Sequence, residues 1–150
     1  MRRNHDTDEC ATRAPHRRRI LVCYDGSPAS RRALERAAEV AARGPADVTV
    51  ISVAEPLYHG APHSGLADPA EDTMHRRLLD EATETLAVFG VRADTLEPAN
   101  EPARAITRAA RDVGADLIVI GSSHRRGPLP LRTVTGEVVA GAQSDVLVVR

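Results

Sequence analysis

The sequence predicts one α/β domain, a parallel five-stranded sheet with helices on both faces. Three observations predict it. The chain has 150 residues, 42% of them hydrophobic, enough for one core and too few for two. Short apolar runs of strand length alternate with stretches of helical period, in the order β-α-β-α-β-α-β-α-β. The longer runs, around ILVCY, VTVISV and LIVI, are near-continuous, as in strands covered on both faces. Strands separated by helices pair in parallel through right-handed crossovers. Such sheets bind ligands beyond the carboxyl ends of their strands, where strand order reverses. The loops after Tyr24, Val53 and Ile120 are therefore the ones to inspect.

Residues 1–18 are polar, with five arginines, two histidines and three acids and no periodicity, and are expected to form a disordered leader. The domain is expected over 19–150. The first strand, Ile20 to Tyr24, is halted by Asp25-Gly26-Ser27. In the following helix Ser27 is the expected N-cap, Pro28 suits the first turn, and Gly44 is the expected left-handed C-cap. Ala33, Leu34, Ala37, Ala38 and Ala41 give that helix a narrow face of mostly small residues for close packing on a sheet. The run ADVTVISVAEP reads as a central strand and residues 56–68 as a Gly/Pro-rich loop. A helix is expected from Pro69 to Val88, capped by Asp68 and closed by Gly90. VRADTLEPA reads as an edge strand, a placement its proline supports. The next helix turns Ala103, Ile106, Ala110 and Val113 inward, and ADLIVIGSS is a strand. After the loop HRRGPLPLR come a short helix, Thr133 to Ala142, and a last strand, DVLVVR.

Composition excludes several functions. All twenty basic residues are arginine, so a Walker-type loop and Schiff-base chemistry are ruled out. Tyr24, Tyr58 and Phe89 are the only aromatics and the net charge is −1, which argues against nucleic acid as a partner. No apolar run approaches the roughly 20 residues that cross a bilayer, and the leader lacks the apolar core of a secretory signal. Cys10 and Cys23 do not make a disulfide framework. A cytoplasmic protein without a membrane partner is expected. His59 and His63 lie four apart, but the Gly60-Ala61-Pro62 between them disfavours the helix a metal pair needs. His75 reads as part of a solvated helix face, Asp80, Glu81 and Glu84 as an exposed acidic face, and Cys23 as buried and inert.

RILVCYDGSPASRRALERAAEVAA, EPARAITRAARDVGADLIVIGSS and the terminal DVLVVR together resemble a universal stress protein domain. The resemblance implies a Rossmann-like, adenine nucleotide alpha hydrolase-like sheet ordered 3-2-1-4-5. It also implies a homodimer formed through the last strand, Asp145 to Arg150, and in some members ATP, with magnesium only alongside it. ATP-binding members carry Gly-x-x-Gly-x9-Gly-Ser/Thr after the fourth strand. By that resemblance Asp25 is the nucleotide's hydrogen-bond acceptor and the main chain at Val53 meets adenine. Gly121, followed by Ser122, matches the first glycine of the loop, while His124 occupies the second glycine position. Counting onward from His124 reaches Val134-Thr135; counting back from the last strand aligns Arg132-Thr133 with the Gly-Ser pair. Either way the third glycine is missing and a threonine survives. A side chain at a left-handed position costs roughly 1–2 kcal/mol, so the loop is a weakened phosphate cradle. Arg125 and Arg126 can hold phosphate from it. No metal-holding acid pair or positioned base is evident, so hydrolysis is at most slow and incidental. Two functions fit this reading: a stress-response regulator that binds adenine nucleotide weakly, and a dimeric interaction module on the same fold that binds none.

Overall fold

A computed structural model describes residues 16–53, 69–122 and 133–150, with side chains of the second segment from Thr73 onward. Five strands, β1 (Arg18–Cys23), β2 (Ala46–Ile51), β3 (Ala93–Leu96), β4 (Leu117–Gly121) and β5 (Asp145–Val149), alternate with four helices. The helices are α1 (Pro28–Ala41), α2 (Pro69–Val88), α3 (Pro102–Asp112) and α4 (Val134–Gly141). All pairings are parallel and the strand order is β3-β2-β1-β4-β5. Order reverses at β1, which has β2 on one side and β4 on the other.

The period of two along β1 builds both halves of the core. Ile20, Val22 and Tyr24 point to the face covered by α1 and α2, where they meet Leu34, Ala37, Leu79 and Leu86. Leu21 and Cys23 point to the opposite face with Ile106, Ala110 and Val138 of α3 and α4. The alanines of α1 keep that helix close to the sheet. A Cβ on Gly121 would press into the Ala29 carbonyl group and lie 2.7 Å from the Ser30 nitrogen.

Helix α1 starts as expected, with the Ser27 hydroxyl accepting from the Ser30 N–H at 3.2 Å and Gly26 at φ 78° before it. Its end is different. Ala42, in right-handed geometry, is the C-cap, and Gly44 is not among the glycines with positive φ. The chain leaves through right-handed turns, with Ala42 and Arg43 N–H groups on the Ala38 and Val40 carbonyls, and Pro45 biases Gly44 away from helical geometry. Gly90 closes α2 at φ 74° as expected; the expected cap Asp68 lies outside the described residues.

Residues ahead of Ile20 also contact the sheet. β1 begins at Arg18, and Arg17 already clasps Asp47 at 2.7 Å through Nη2. His16 reaches Asp116 at 3.2 Å, and the same carboxylate accepts the Arg19 N–H at 2.8 Å. His16 and Arg17 are thus both tied to the domain.

Candidate functional site

The reversal of strand order opens a crevice beyond the carboxyl ends of β1 and β4. It holds a cavity of about 350 Å³, within the size range of small-ligand sites. Four segments distant in sequence meet there: Asp25 and Ser27 after β1, Val53 after β2, Gly121 at the end of β4, and Thr135 in α4. Pro102 and Ile106, from the first turns of α3, supply an apolar wall, and Cys23 and Ile120 lie beside them. First-turn residues of α1, α3 and α4 therefore all line one cavity, with helix N-termini that favour anions.

Asp25 sits at the rim with an exposed side. Its Oδ1 accepts the Ser27 N–H at 2.9 Å, and its own N–H reaches the Ser30 hydroxyl at 3.4 Å. Burial of part of the carboxylate opposes ionisation, but hydrogen bonds from Ser27 and Ser30 outweigh it and hold the group below its ordinary pKa. The folded chain therefore favours ionised Asp25. That stabilisation is present above about pH 4, the unfolded value, and is lost as pH falls through the depressed folded one. Cys23 at the cavity floor is driven the other way: burial, then the Asp25 charge, push its thiol far above the range where it ionises near neutrality.

On the other side of the cavity the two threonines have separate tasks. Thr133 is the N-cap of α4, its Oγ1 accepting from the Gly136 N–H at 3.1 Å. Thr135 is buried, and its hydroxyl donates to the Gly121 carbonyl at 3.0 Å, fastening α4 to the end of β4. The buried Ser122 donates its N–H to the Val149 carbonyl at 2.8 Å, continuing the β4–β5 ladder, and does not line the cavity. His124, Arg125 and Arg126 lie outside the described residues, as do His59 and His63. Among the described residues no group of three or more His, Cys, Asp or Glu gathers to hold a metal, and no helix is long and apolar enough to cross a membrane.

Two residues of α2 differ from their expected roles. His75 is not on a solvated face: it is 8% exposed, and its Nδ1 shares a 2.9 Å hydrogen bond with the hydroxyl of buried Ser52. Its position heads the apolar row His75, Leu79, Ala82 and Leu86 of α2, so helical spacing carried the signal that its charged neighbours hid. Glu81 is half-buried, not fully exposed. Its Oε1 accepts from the hydroxyl of buried Tyr24 at 2.7 Å and pairs with Arg31 at 3.2 Å. Tyr24 also lines the cavity. No local spacing could have shown a pair 57 residues apart.

Burial, reinforced by the bond to Glu81, raises the Tyr24 pKa. Its contribution to stability is complete below about pH 10, the unfolded value, and is lost as pH rises through the higher folded one. Tyr24→Phe is expected to cost about 1 kcal/mol at neutral pH, since Glu81 keeps Arg31 and solvent. Urea denaturation at pH 7 and pH 11 checks it: the variant should lose less stability between the two pH values than the wild type.

Comparison with known proteins matches residues 16–150 to the universal stress protein family. A universal stress protein of Thermus aquaticus is 39% identical over 140 residues, spanning 87% of this chain and 97% of its own length. Universal stress protein YxiE of Bacillus subtilis is 29% identical over 145 residues, spanning 88% and 98%. Among solved structures, a universal stress protein in complex with cAMP superimposes with a TM-score of 0.70 at 26% identity, over 89% of this chain and 97% of that one. A family protein from Burkholderia pseudomallei gives 0.68 at 29% identity, over 87% and 94%.

Proposed function

The chain belongs to the universal stress protein family, and from that premise we propose that it is a cytoplasmic stress-response regulator whose β1–β4 cavity binds an adenine nucleotide. The observation that carries the proposal is the meeting of Asp25, Val53, Gly121 and Thr135 around one cavity. The cavity is divided by charge. Ionised Asp25 repels phosphate and accepts from neutral donors, so base and ribose belong on its side, against Val53, Pro102 and Ile106. The phosphate belongs across the cavity, at the start of α4. A universal stress protein solved with cAMP, similar over most of this chain, supports the class of ligand.

The departures from the glycine motif lie in sequence between Gly121 and Thr135, where the resemblance puts the phosphate loop. Base and ribose recognition is therefore retained while polyphosphate affinity is reduced, and Arg125, Arg126 and Arg132 offer charge in place of glycine N–H groups. When ATP binds, its own phosphates carry the magnesium, because Asp25 is the one carboxylate lining the cavity among the described residues. Among the described residues the lone carboxylate lining the cavity is already engaged by Ser27 and is not poised to activate water.

Isothermal titration calorimetry with ATP, AMP and cAMP tests the reading. Heat of binding in the micromolar range is expected. Asp25→Asn should weaken it by about tenfold, the worth of one hydrogen bond to a charged group. No heat with any of the three up to about 1 mM, a concentration that would reveal even weak affinity, contradicts the proposal.

The last strand supports a second element of the proposal. Val146, Leu147, Val148 and Val149 are only partly buried, and β5 stands at the sheet edge. An apolar edge of that kind is satisfied by pairing, which supports a homodimer through β5.

A further inference from the structure

Side chains from one face of α2 reach the strand ends that carry the proposed base and ribose contacts. They are His75, Leu78 and Glu81, each a helical turn from the next. His75 Nδ1 shares a 2.9 Å hydrogen bond with the Ser52 hydroxyl, and Ser52 directly precedes Val53. Leu78 lies against the turn after β1: a Cβ at Gly26 would come within 2.7 Å of its Cδ2. Glu81 Oε1 accepts the Tyr24 hydroxyl at 2.7 Å. Asp25 is thus flanked at Tyr24 and at Gly26 by residues that α2 holds. The α2 side chains do not line the cavity themselves.

The strand ends are tied to one another as well. The Tyr24 N–H donates to the Ile51 carbonyl at 2.9 Å, and the Ser52 N–H to the Leu96 carbonyl at 3.1 Å. Tyr24 and Ser52 are buried, so a lost side-chain partner is not readily replaced by water. The Glu81 carboxylate is also held from the α1 side, by Arg31 at 3.2 Å. Asp25 takes its orientation from the Ser27 N–H of its own turn. Where that turn stands decides where its acceptor meets a ligand.

This inference rests on the nucleotide reading proposed above. We infer that α2 is the positioning element of the nucleoside half of that site, with Glu81 as its principal positioning residue. Glu81 acts through Tyr24 on Asp25, and His75 acts through Ser52 on Val53. The phosphate half is secured by other ties, since Thr135 is fastened to Gly121 and Thr133 caps α4. Recognition groups need to be held within about 0.5 Å. Freeing Tyr24 from α2 therefore weakens the hold on base and ribose and leaves the phosphate's contribution in place.

Calorimetric titration of the full chain with adenosine and with AMP tests this, at a temperature where thermal denaturation shows each variant folded. Tyr24→Phe and Glu81→Ala are each expected to weaken both ligands by about three- to tenfold, within the worth of one hydrogen bond. The ratio of AMP to adenosine affinity should keep its wild-type value. Glu81→Gln retains an acceptor for the Tyr24 hydroxyl and should recover most of what Glu81→Ala loses. Leu86→Val, buried toward the other end of α2, loosens the helix away from these strand ends and should bind both ligands like the wild type. A wild-type chain that binds neither ligand overturns the nucleotide reading and the inference with it. Affinities that Tyr24→Phe and Glu81→Ala leave unchanged overturn the inference and spare the reading. So do a loss that Leu86→Val reproduces, a loss confined to the AMP-to-adenosine ratio, and a wild type that binds AMP without binding adenosine.

Discussion

Gly121→Ala should destabilise the fold by about 3 kcal/mol, the upper range for overpacking, and abolish nucleotide binding at temperatures where the wild type is folded. The new Cβ would enter the backbone of Ala29 and Ser30, which cannot turn aside as a side chain can. Relief requires α1 to lift from β4, and that movement carries away the Ser27 cap and the Asp25 turn built on it. The Gly121 carbonyl also receives the Thr135 hydroxyl, so displacement spreads to α4 and both sides of the cavity shift together. Thermal denaturation should show a drop on the order of 10 °C for a domain of this size. The glycine is needed for helix-to-sheet contact, and its φ is not in the positive range. The glycine that the resemblance assigns to a phosphate loop is therefore also a packing requirement of the fold.

The second large effect is expected at Ser52 and His75. His75→Ala should cost about 3 kcal/mol, because it opens a cavity under α2 and leaves the buried Ser52 hydroxyl without its ring partner. Ser52→Ala alone should cost about 1–2 kcal/mol by orphaning the ring nitrogen. If the hydrogen bond is the link, the double variant costs less than the sum, by about 0.5–1.5 kcal/mol in a double-mutant cycle from urea denaturation. Strictly additive losses would assign the effect to packing alone. Ser52 follows the end of β2 and directly precedes Val53, so loosening the pair should also disturb the Val53 wall of the cavity.

What could be read from the sequence follows from which forces are local. The strands were legible because burial on both faces leaves near-continuous apolar runs, and Ser27 because a cap acts within three residues. Order 3-2-1-4-5 came through the resemblance, since no spacing along the chain states which strands are neighbours. Gly44 misled because its isolated conformational freedom suggests a left-handed cap, whereas Pro45 and the right-handed exit at Ala42 decide the geometry. His75 is obscured in the sequence because its charged neighbours mask the row it shares with the buried Leu79, Ala82 and Leu86. The Tyr24–Glu81–Arg31 link was not legible at all, because it depends on α1 and α2 being brought together by the sheet. At the candidate site, Asp25, Val53, Gly121 and Thr135 line one cavity and Thr133 caps the helix beside it, while Ser122 is spent on the β5 ladder.

The most direct measurement is a two-dimensional NMR titration of the labelled chain with AMP, cAMP and ATP. Saturable shifts are expected to concentrate on the amides of Asp25, Ser27, Val53, Gly121 and Thr135, with ATP no tighter than the mononucleotides. Absence of shifts with all three nucleotides, or saturable shifts confined to residues away from the ends of β1 and β4, would contradict the nucleotide proposal.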